Sequence, residues 1–211
     1  MNGLVVTKPS SKVPPKAVIK AEQEHPWVSR GGLKLAHALA SFNIDVTGKI
    51  CLDVGASTGG FTDVLLSQGA SHVYAVDVGR DQLHKRLRGH PRMTSMEGTD
   101  ARQLTTELFE NLPELIVCDA SFISAAKVLG RSMELVKTRA ELMTLVKPQF
   151  EVGPENIGRG GLVKDIALSE QALNNFKSWV AEQGWSVDAT DISPIKGGDG
   201  NTEYLLYGRK K

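Results

Sequence analysis

Apolar residues along this chain recur at helical spacing, then at strand spacing, and the alternation runs almost to the C-terminus. Leu33, Leu35, Ala36, Leu39 and Ala40 predict a helix over 33–42, entered through Gly31-Gly32. Lys49–Val54 reads as a first strand and Phe61–Gln68 as a helix that Gly69 stops. His72–Asp77 predicts a second strand, Asp81–Leu87 a short basic helix and Arg92–Met96 a weak third strand. Leu115–Asp119 is apolar up to its aspartate and predicts a fourth strand; Ala125–Val136 follows as a helix with Ser124 as its cap. Glu141–Val146 is a fifth strand, and a glycine-rich loop spans 153–161. Leu168, Ala172, Leu173, Phe176, Trp179 and Val180 mark one face of an amphipathic helix that Gly184 ends. Trp185–Ile192 and Glu203–Tyr207 close the chain as two strands joined like a hairpin. The pattern predicts an α/β, Rossmann-like fold: a seven-stranded, mostly parallel sheet with a C-terminal antiparallel hairpin.

The first 26 residues do not share this pattern. Val5-Val6 and Val18-Ile19 have strand character, but Pro9, Pro14, Pro15 and Pro26 interrupt them, and the segment cannot bury a core alone. The domain expected to carry function therefore spans 27–211. Over 211 residues the formal charge is +1, yet residues 1–20 hold Lys8, Lys12, Lys16 and Lys20 and no acid, which leaves the rest at −3. Such a chain does not coat nucleic acid indiscriminately; binding has to use local basic patches. Cys51 and Cys118, each just before an aspartate in a predicted central strand, read as small buried hydrophobes. No zinc-ligand spacing is present, and no metal site is expected. Neither a membrane-spanning run nor a signal peptide is evident, so cytoplasmic residence is the expectation.

Candidate chemistry begins at the first strand-to-helix crossing, Asp53-Val54-Gly55-Ala56-Ser57-Thr58-Gly59-Gly60-Phe61. Glycines there let backbone pass close to a ligand, and the following helix offers free N–H groups. A P-loop needs Gly-Lys-Ser/Thr at the helix entrance, and a dinucleotide fingerprint needs G-x-G-x-x-G; neither is present. S-adenosylmethionine has no pyrophosphate and is served by the wider Asp-x-Gly-x-x-x-Gly-Gly loop. Asp77, 24 residues after Asp53 and followed by Val78, ends the second strand, where it would hold ribose hydroxyls. Asp100, followed by Ala101, comes after the third strand, where it would meet the adenine amino group. Three acids after three successive strands point to this cofactor and to a methyltransferase sheet.

Methyl transfer requires in-line attack on the cofactor's methyl group, so catalysis is positioning plus proton removal. A cysteine nucleophile for pyrimidine C5 is missing beyond the fourth strand, and Asp119-Ala120-Ser121-Phe122 lacks the two prolines typical of adenine amino methylation. What remains is a set of charged residues at element ends: Lys34, Asp119, Lys147 and Glu203. An ionisable residue directly after an apolar strand, as at 119 and 147, is less often decorative.

These four resemble, in order and setting, the Lys-Asp-Lys-Glu tetrad of FtsJ/RrmJ-type RNA 2′-O-ribose methyltransferases. The stretches 29–35 (SRGGLKL), 53–63 (DVGASTGGFTD), 118–124 (CDASFIS), 146–151 (VKPQFE) and 200–205 (GNTEYL) are similar to the TlyA family, also labelled hemolysin A. The resemblance runs from Trp27 onward. It implies S-adenosylmethionine-dependent 2′-O-methylation of cytidine in ribosomal RNA, with ribosomal RNA or ribosomal subunits as partner. Carried over, Lys147 is the general base towards the ribose 2′-hydroxyl, Asp119 and Lys34 orient it, and Glu203 completes the network. A lysine is cationic at neutral pH, so the role requires Lys34 and the cofactor's sulfonium to favour the neutral amine. The resemblance further implies that residues 1–26 are a remnant of an N-terminal RNA-binding domain plus a linker, with Met1–Val13 resembling its final strands and its RNA-binding helices absent.

Arg80, Lys85, Arg86, Arg88, His90 and Arg92 form the densest basic run and read equally as RNA contact or as a solvated face. Arg30, Arg159 and Lys164, beside the expected substrate mouth, are the better RNA-contact candidates. Rival functions are a cytolysin, which the family's older label suggests, a methyltransferase acting on another substrate, and a cofactor-binding module without catalysis. No membrane contact is expected, because Leu168–Val180 carries mixed charge and fits packing on the sheet.

Overall fold

The computed structural model describes residues 11–15, 17, 18 and 25–211. Of the two short strands expected before residue 26, Val5, Val6 and Ile19 lie outside the described residues, and Val18 is in no strand. The elements that follow are helix α1 (Gly31–Ser41), strand β1 (Ile50–Val54), α2 (Gly60–Ser67), β2 (His72–Asp77), β3 (Met93–Glu97), β4 (Leu115–Cys118), α3 (Ala125–Glu134), β5 (Glu141–Val146), α4 (Pro148–Glu151), α5 (Ile166–Glu182), β6 (Trp185–Ile192) and β7 (Tyr204–Lys210). They build one seven-stranded sheet in the order β3-β2-β1-β4-β5-β7-β6. Strands β1 to β5 pair in parallel, and β7 runs antiparallel to both β5 and β6. This is the Rossmann-like sheet with a C-terminal hairpin that the hydrophobic pattern predicts.

Successive residues of a strand face opposite sides of a sheet, and the apolar residues of the central strands divide accordingly. Leu52, Val54, Ile116, Cys118, Leu142 and Val146 join α3 and α5 in one core. Cys51, Leu115, Val117, Met143 and Leu145 join α1 and α2 in the other. Because both faces are covered, the central parallel strands β1, β4 and β5 are buried almost continuously rather than alternately. Both cysteines are free and buried, and burial pushes their thiols up to about 12, so neither supplies a thiolate.

Two local expectations are corrected. Residues 81–87 form turns, not a helix. Asp81 takes a left-handed φ of 58°, Glu97 Oε1 captures the N–H groups of Gln82 and Leu83, and Arg88 donates to the carbonyls of Leu83 and Asp81. The Arg88 side chain thus takes carbonyls that helical bonds would have used, and the left-handed Asp81 breaks the helix at its start. At the start of α3, Ser124 is the N-cap residue but its side chain makes no capping bond; Glu151 Oε1 accepts the N–H of Ala125 at 2.8 Å. A carboxylate from α4 suits the positive end of that helix.

The basic run 80–92 is largely occupied within the fold. Arg86 pairs with Asp63 at 2.7 Å and also reaches the Pro26 carbonyl. Arg92 donates to the carbonyls of Leu66 and Ala70 at the end of α2. These side chains tie turns and helix ends together.

Candidate active site

The carboxyl ends of the parallel strands converge on a cavity of about 420 Å³. Of the residues expected at the cofactor and the reaction, Lys34, Asp53, Gly55, Ala56, Ser57, Thr58, Gly60, Phe61, Asp119, Lys147 and Glu203 line it, as does Arg30. Gly59, Asp77, Val78, Asp100, Ala101, Arg159 and Lys164 do not. Asp77 still belongs to the same loop system, because its carboxylate accepts the N–H of Ser57 at 2.8 Å and of Gly79 at 2.7 Å. Val78 is exposed and Ala101 is buried in the core. Asp100 is gripped by the Arg102 guanidinium, whose hydrogen bonds hold its carboxyl below the usual carboxylate range. Lys164 donates to the Glu155 carbonyl, and Arg159 sits exposed on the glycine-rich loop.

Four charged side chains from four separate elements form one chain of alternating sign. Lys34, on the first turn of α1, lies 2.6 Å from Glu203 Oε2 across 169 residues of sequence. Its Nζ also stands 3.6 Å from Asp119 Oδ1, and Lys147 Nζ approaches that same oxygen to 2.6 Å. Asp119 Oδ1 is buried, and these contacts are ionic rather than aligned hydrogen bonds. Lys147 donates instead to the Asp119 carbonyl at 3.1 Å and to Ser121 Oγ at 2.8 Å. Lys34 is inward because it shares the buried stripe of α1 with Leu35, Ala38 and Leu39, at the end that opens on the cavity. Glu203 is only 2% exposed, and a Cβ on Gly197 would meet its Oε1 at 2.5 Å. Burial of three charged side chains is tolerable only because each has an opposite charge beside it.

The glycine loop is shaped by close approach. Gly59 has φ +91°, and a Cβ there would reach Leu87 Cδ1 at 2.3 Å. A Cβ on Gly60 would meet Ser29 Oγ at 2.2 Å, so the start of α2 sits directly against the start of α1. Asp53, at the base of the loop, is fully buried; its Oδ2 accepts from Thr62 N at 2.9 Å and Thr62 Oγ1 at 2.7 Å. Among the described residues its Oδ1 has no hydrogen-bond partner. Burial pushes the Asp53 carboxyl up to about 7, against the hydrogen bonds from Thr62. An acid raised in this way holds more protons when folded than when unfolded between about pH 4 and 7. Its contribution to stability is therefore present below about pH 4 and is lost as the pH rises to about 7. Asp53→Asn is expected to flatten the fall in urea-unfolding stability between pH 5 and 7.5; an unchanged slope would contradict the assignment.

A buried carboxylate oxygen without a partner, facing a cavity edged by close-approach glycines, suits a cationic ligand. S-adenosylmethionine carries an ammonium and a sulfonium, so these residues fit that cofactor.

Some polar residues of the site escape the sequence pattern. Ser121 holds Lys147, Gln149 Oε1 is buried without a partner at the cavity wall, and Asn201 accepts from Val163 N at 3.0 Å and donates to the Gly161 carbonyl at 2.8 Å. Asn201 thereby pins the glycine-rich loop to the wall that carries Glu203. Ser121 and Asn201 make these contacts with residues far away in sequence, and for all three the only signal is a place within the stretches that resemble the TlyA family.

Comparison with known proteins agrees with this geometry. The family model of the FtsJ-like methyltransferases matches residues 27–210. A 16S/23S rRNA (cytidine-2′-O)-methyltransferase TlyA of Mycobacterium tuberculosis is 44% identical over 209 residues, which covers 98% of this chain and 78% of that one. A protein of Brachyspira hyodysenteriae named hemolysin A is 42% identical over 208 residues, covering 98% of this chain and 87% of its own. The solved structure of a protein from Streptococcus thermophilus described as a hemolysin superimposes with a TM-score of 0.86 at 44% identity, covering 90% of this chain and 70% of that one. The chain belongs to the FtsJ-like methyltransferase family, enzymes that transfer the methyl group of S-adenosylmethionine.

Proposed function

We propose that this enzyme methylates the ribose 2′-hydroxyl of cytidine in ribosomal RNA, and that it works in the cytoplasm. The observation that carries the reading is the chain Glu203–Lys34–Asp119–Lys147, which reaches the cavity beside the glycine loop. The substrate class is taken from the relatives, one of which is named for this reaction.

Asp53 and the loop Gly55–Gly60 would hold the amino-acid end of the cofactor, Asp77 its ribose, and Asp100 with Ala101 its adenine. Bound S-adenosylmethionine supplies an electrophilic methyl group on sulfur. Lys147 would act as the general base, taking the proton of the 2′-hydroxyl as its oxygen becomes the acceptor of that methyl group. Three acceptors surround Lys147 Nζ: Asp119 Oδ1, the Asp119 carbonyl and Ser121 Oγ. The two hydrogen bonds and the ionic contact suit the ammonium, the form in which Lys147 leaves the step. Lys34 holds Asp119 in place and is itself fixed by Glu203. The catalytic unit is the segment from residue 27 onward. Arg30, Arg159 and Lys164 would contact the RNA backbone.

Phe122 supports a nucleotide as acceptor. Its ring is 91% exposed beside the reacting lysine, its φ is +65°, and it leans on Phe150 at a centroid distance of 5.4 Å. An apolar ring held out in water next to a reaction centre suits stacking by a base, an interaction worth about 1–3 kcal/mol. Phe122→Ala is expected to lower kcat/KM for RNA by about tenfold or more and leave S-adenosylhomocysteine affinity unchanged; an unaltered kcat/KM would remove Phe122 from the substrate site.

Among the described residues no helix is long and apolar enough to cross a membrane. The acceptor class is tested by incubating the protein with methyl-labelled cofactor and ribosomal subunits. Label that ribonuclease releases and protease does not is the expected result; label on protein, or none on RNA, would reject the reading.

A further inference from the structure

The turn that replaces the expected helix at 81–87 carries one side chain for which the reaction outlined above has no use. Gln82 reaches across from the β2 side to the glycine loop, where its Oε1 accepts a hydrogen bond from Ser57 Oγ at 3.0 Å. Ser57 lines the cavity and donates its own N–H to Asp77. The Gln82 backbone is fixed as well, by the bond from its N–H to Glu97 Oε1 at 2.7 Å. With Oε1 committed to Ser57, the amide nitrogen is turned over Gly79. A Cβ on Gly79 would lie 1.8 Å from Gln82 Nε2 and 3.0 Å from Asp77 Oδ1. Gly79 is not among the residues of positive φ, so a glycine at 79 is not required by the backbone. It leaves room for the carboxamide beside the carboxylate. Among the described residues no hydrogen bond occupies Gln82 Nε2.

We infer that Gln82 is a specificity-determining residue for the cofactor's ribose, set beside Asp77 so that the pair reads the two neighbouring hydroxyls. This rests on the placement of the ribose at Asp77 proposed above. A vicinal diol presents donors and acceptors together, whereas a carboxylate can only accept. Asp77 alone would satisfy the hydroxyl protons and leave the hydroxyl oxygens without a donor. Gln82 Nε2 supplies that donor, and the Asp77 carboxylate beside it disfavours the flipped carboxamide, which would set its oxygen against that charge.

The test is calorimetric binding of S-adenosylhomocysteine and of its 2′-deoxy and 3′-deoxy analogues to the wild type, Gln82→Ala and Gly79→Ala. The wild type is expected to lose about tenfold in affinity when one of the two hydroxyls is removed. Gln82→Ala is expected to bind the parent compound about fivefold more weakly and to lose no more than about twofold on removal of that hydroxyl. Gly79→Ala, whose methyl group displaces the carboxamide without straining the backbone, should behave like Gln82→Ala. If Gln82→Ala weakens all three ligands by one factor, or none of them, Gln82 is only a latch between loops and the inference fails. If the wild type binds the parent compound but ignores both hydroxyls, the placement at Asp77 fails and the role of Gln82 falls with it.

Discussion

Lys147→Met is expected to slow methyl transfer by about 10²- to 10⁴-fold, the range that a positioned general base contributes, while S-adenosylhomocysteine still binds within a few-fold of wild type. The substitution removes the side chain that joins Asp119 to Ser121. Asp119 keeps Lys34 at 3.6 Å and is one-fifth exposed, so water can take the vacated place and the fold should survive. Lys147→Arg separates two accounts of the residue. Arginine retains the positive charge but does not give up its proton in a protein. A base role therefore predicts that Lys147→Arg is as inactive as Lys147→Met. Substantial recovery by arginine would mean that Lys147 acts through its charge alone, and pre-steady-state transfer rates distinguish the two.

The second large effect falls on stability. Lys34 and Glu203 face each other across 2.6 Å with almost no water, the lysine side chain 9% exposed and the glutamate side chain 3%. Removal of one partner strands the other as an uncompensated buried charge, which typically costs about 3–5 kcal/mol. Lys34→Met should lower unfolding stability by about that amount, and Glu203→Gln alone should also destabilise, by less, because the amide can still accept a hydrogen bond from Lys34. The double variant Lys34→Met/Glu203→Gln should recover much of the loss, since no net charge then remains buried at the pair. Urea unfolding of the four proteins closes the cycle. Additive losses, or a loss below about 1 kcal/mol for Lys34→Met, would show that the two charges do not depend on each other.

How much of the fold and the site is legible in the amino-acid sequence depends on the kind of interaction. β1, β2, β4 and β5 stand within a residue of their predicted bounds, because apolar runs covered on both faces leave a strong pattern and each ends in a charged residue or turn. The tetrad residues are visible one at a time as charges at element ends. That they form a single alternating chain depends on the sheet order, which brings Lys34 and Glu203 together from opposite ends of the sequence. Where side chains compete with backbone bonds, periodicity misleads. Residues 81–87 have helical composition, yet Arg88 captures the Asp81 and Leu83 carbonyls that a helix would need, and Asp81 is left-handed. The expected cap at Ser124 gives way to Glu151, because a carboxylate 26 residues after Ala125 accepts the first N–H of the helix and the Ser124 hydroxyl makes no capping bond. Gln82 and Asn201 leave no local signal, because the partners that give each its place come from other loops.

The central claim is that these four charges serve proton removal from a ribose hydroxyl. It is tested most directly by the chemical identity of the product. Ribosomal subunits incubated with the protein and isotopically labelled S-adenosylmethionine are digested to nucleosides, and the labelled species is identified by mass spectrometry. The expected product is 2′-O-methylcytidine, formed by the wild type and lost with Lys147→Met. A methyl group on a base atom, or 2′-O-methylcytidine formed equally well by Lys147→Met, would contradict it.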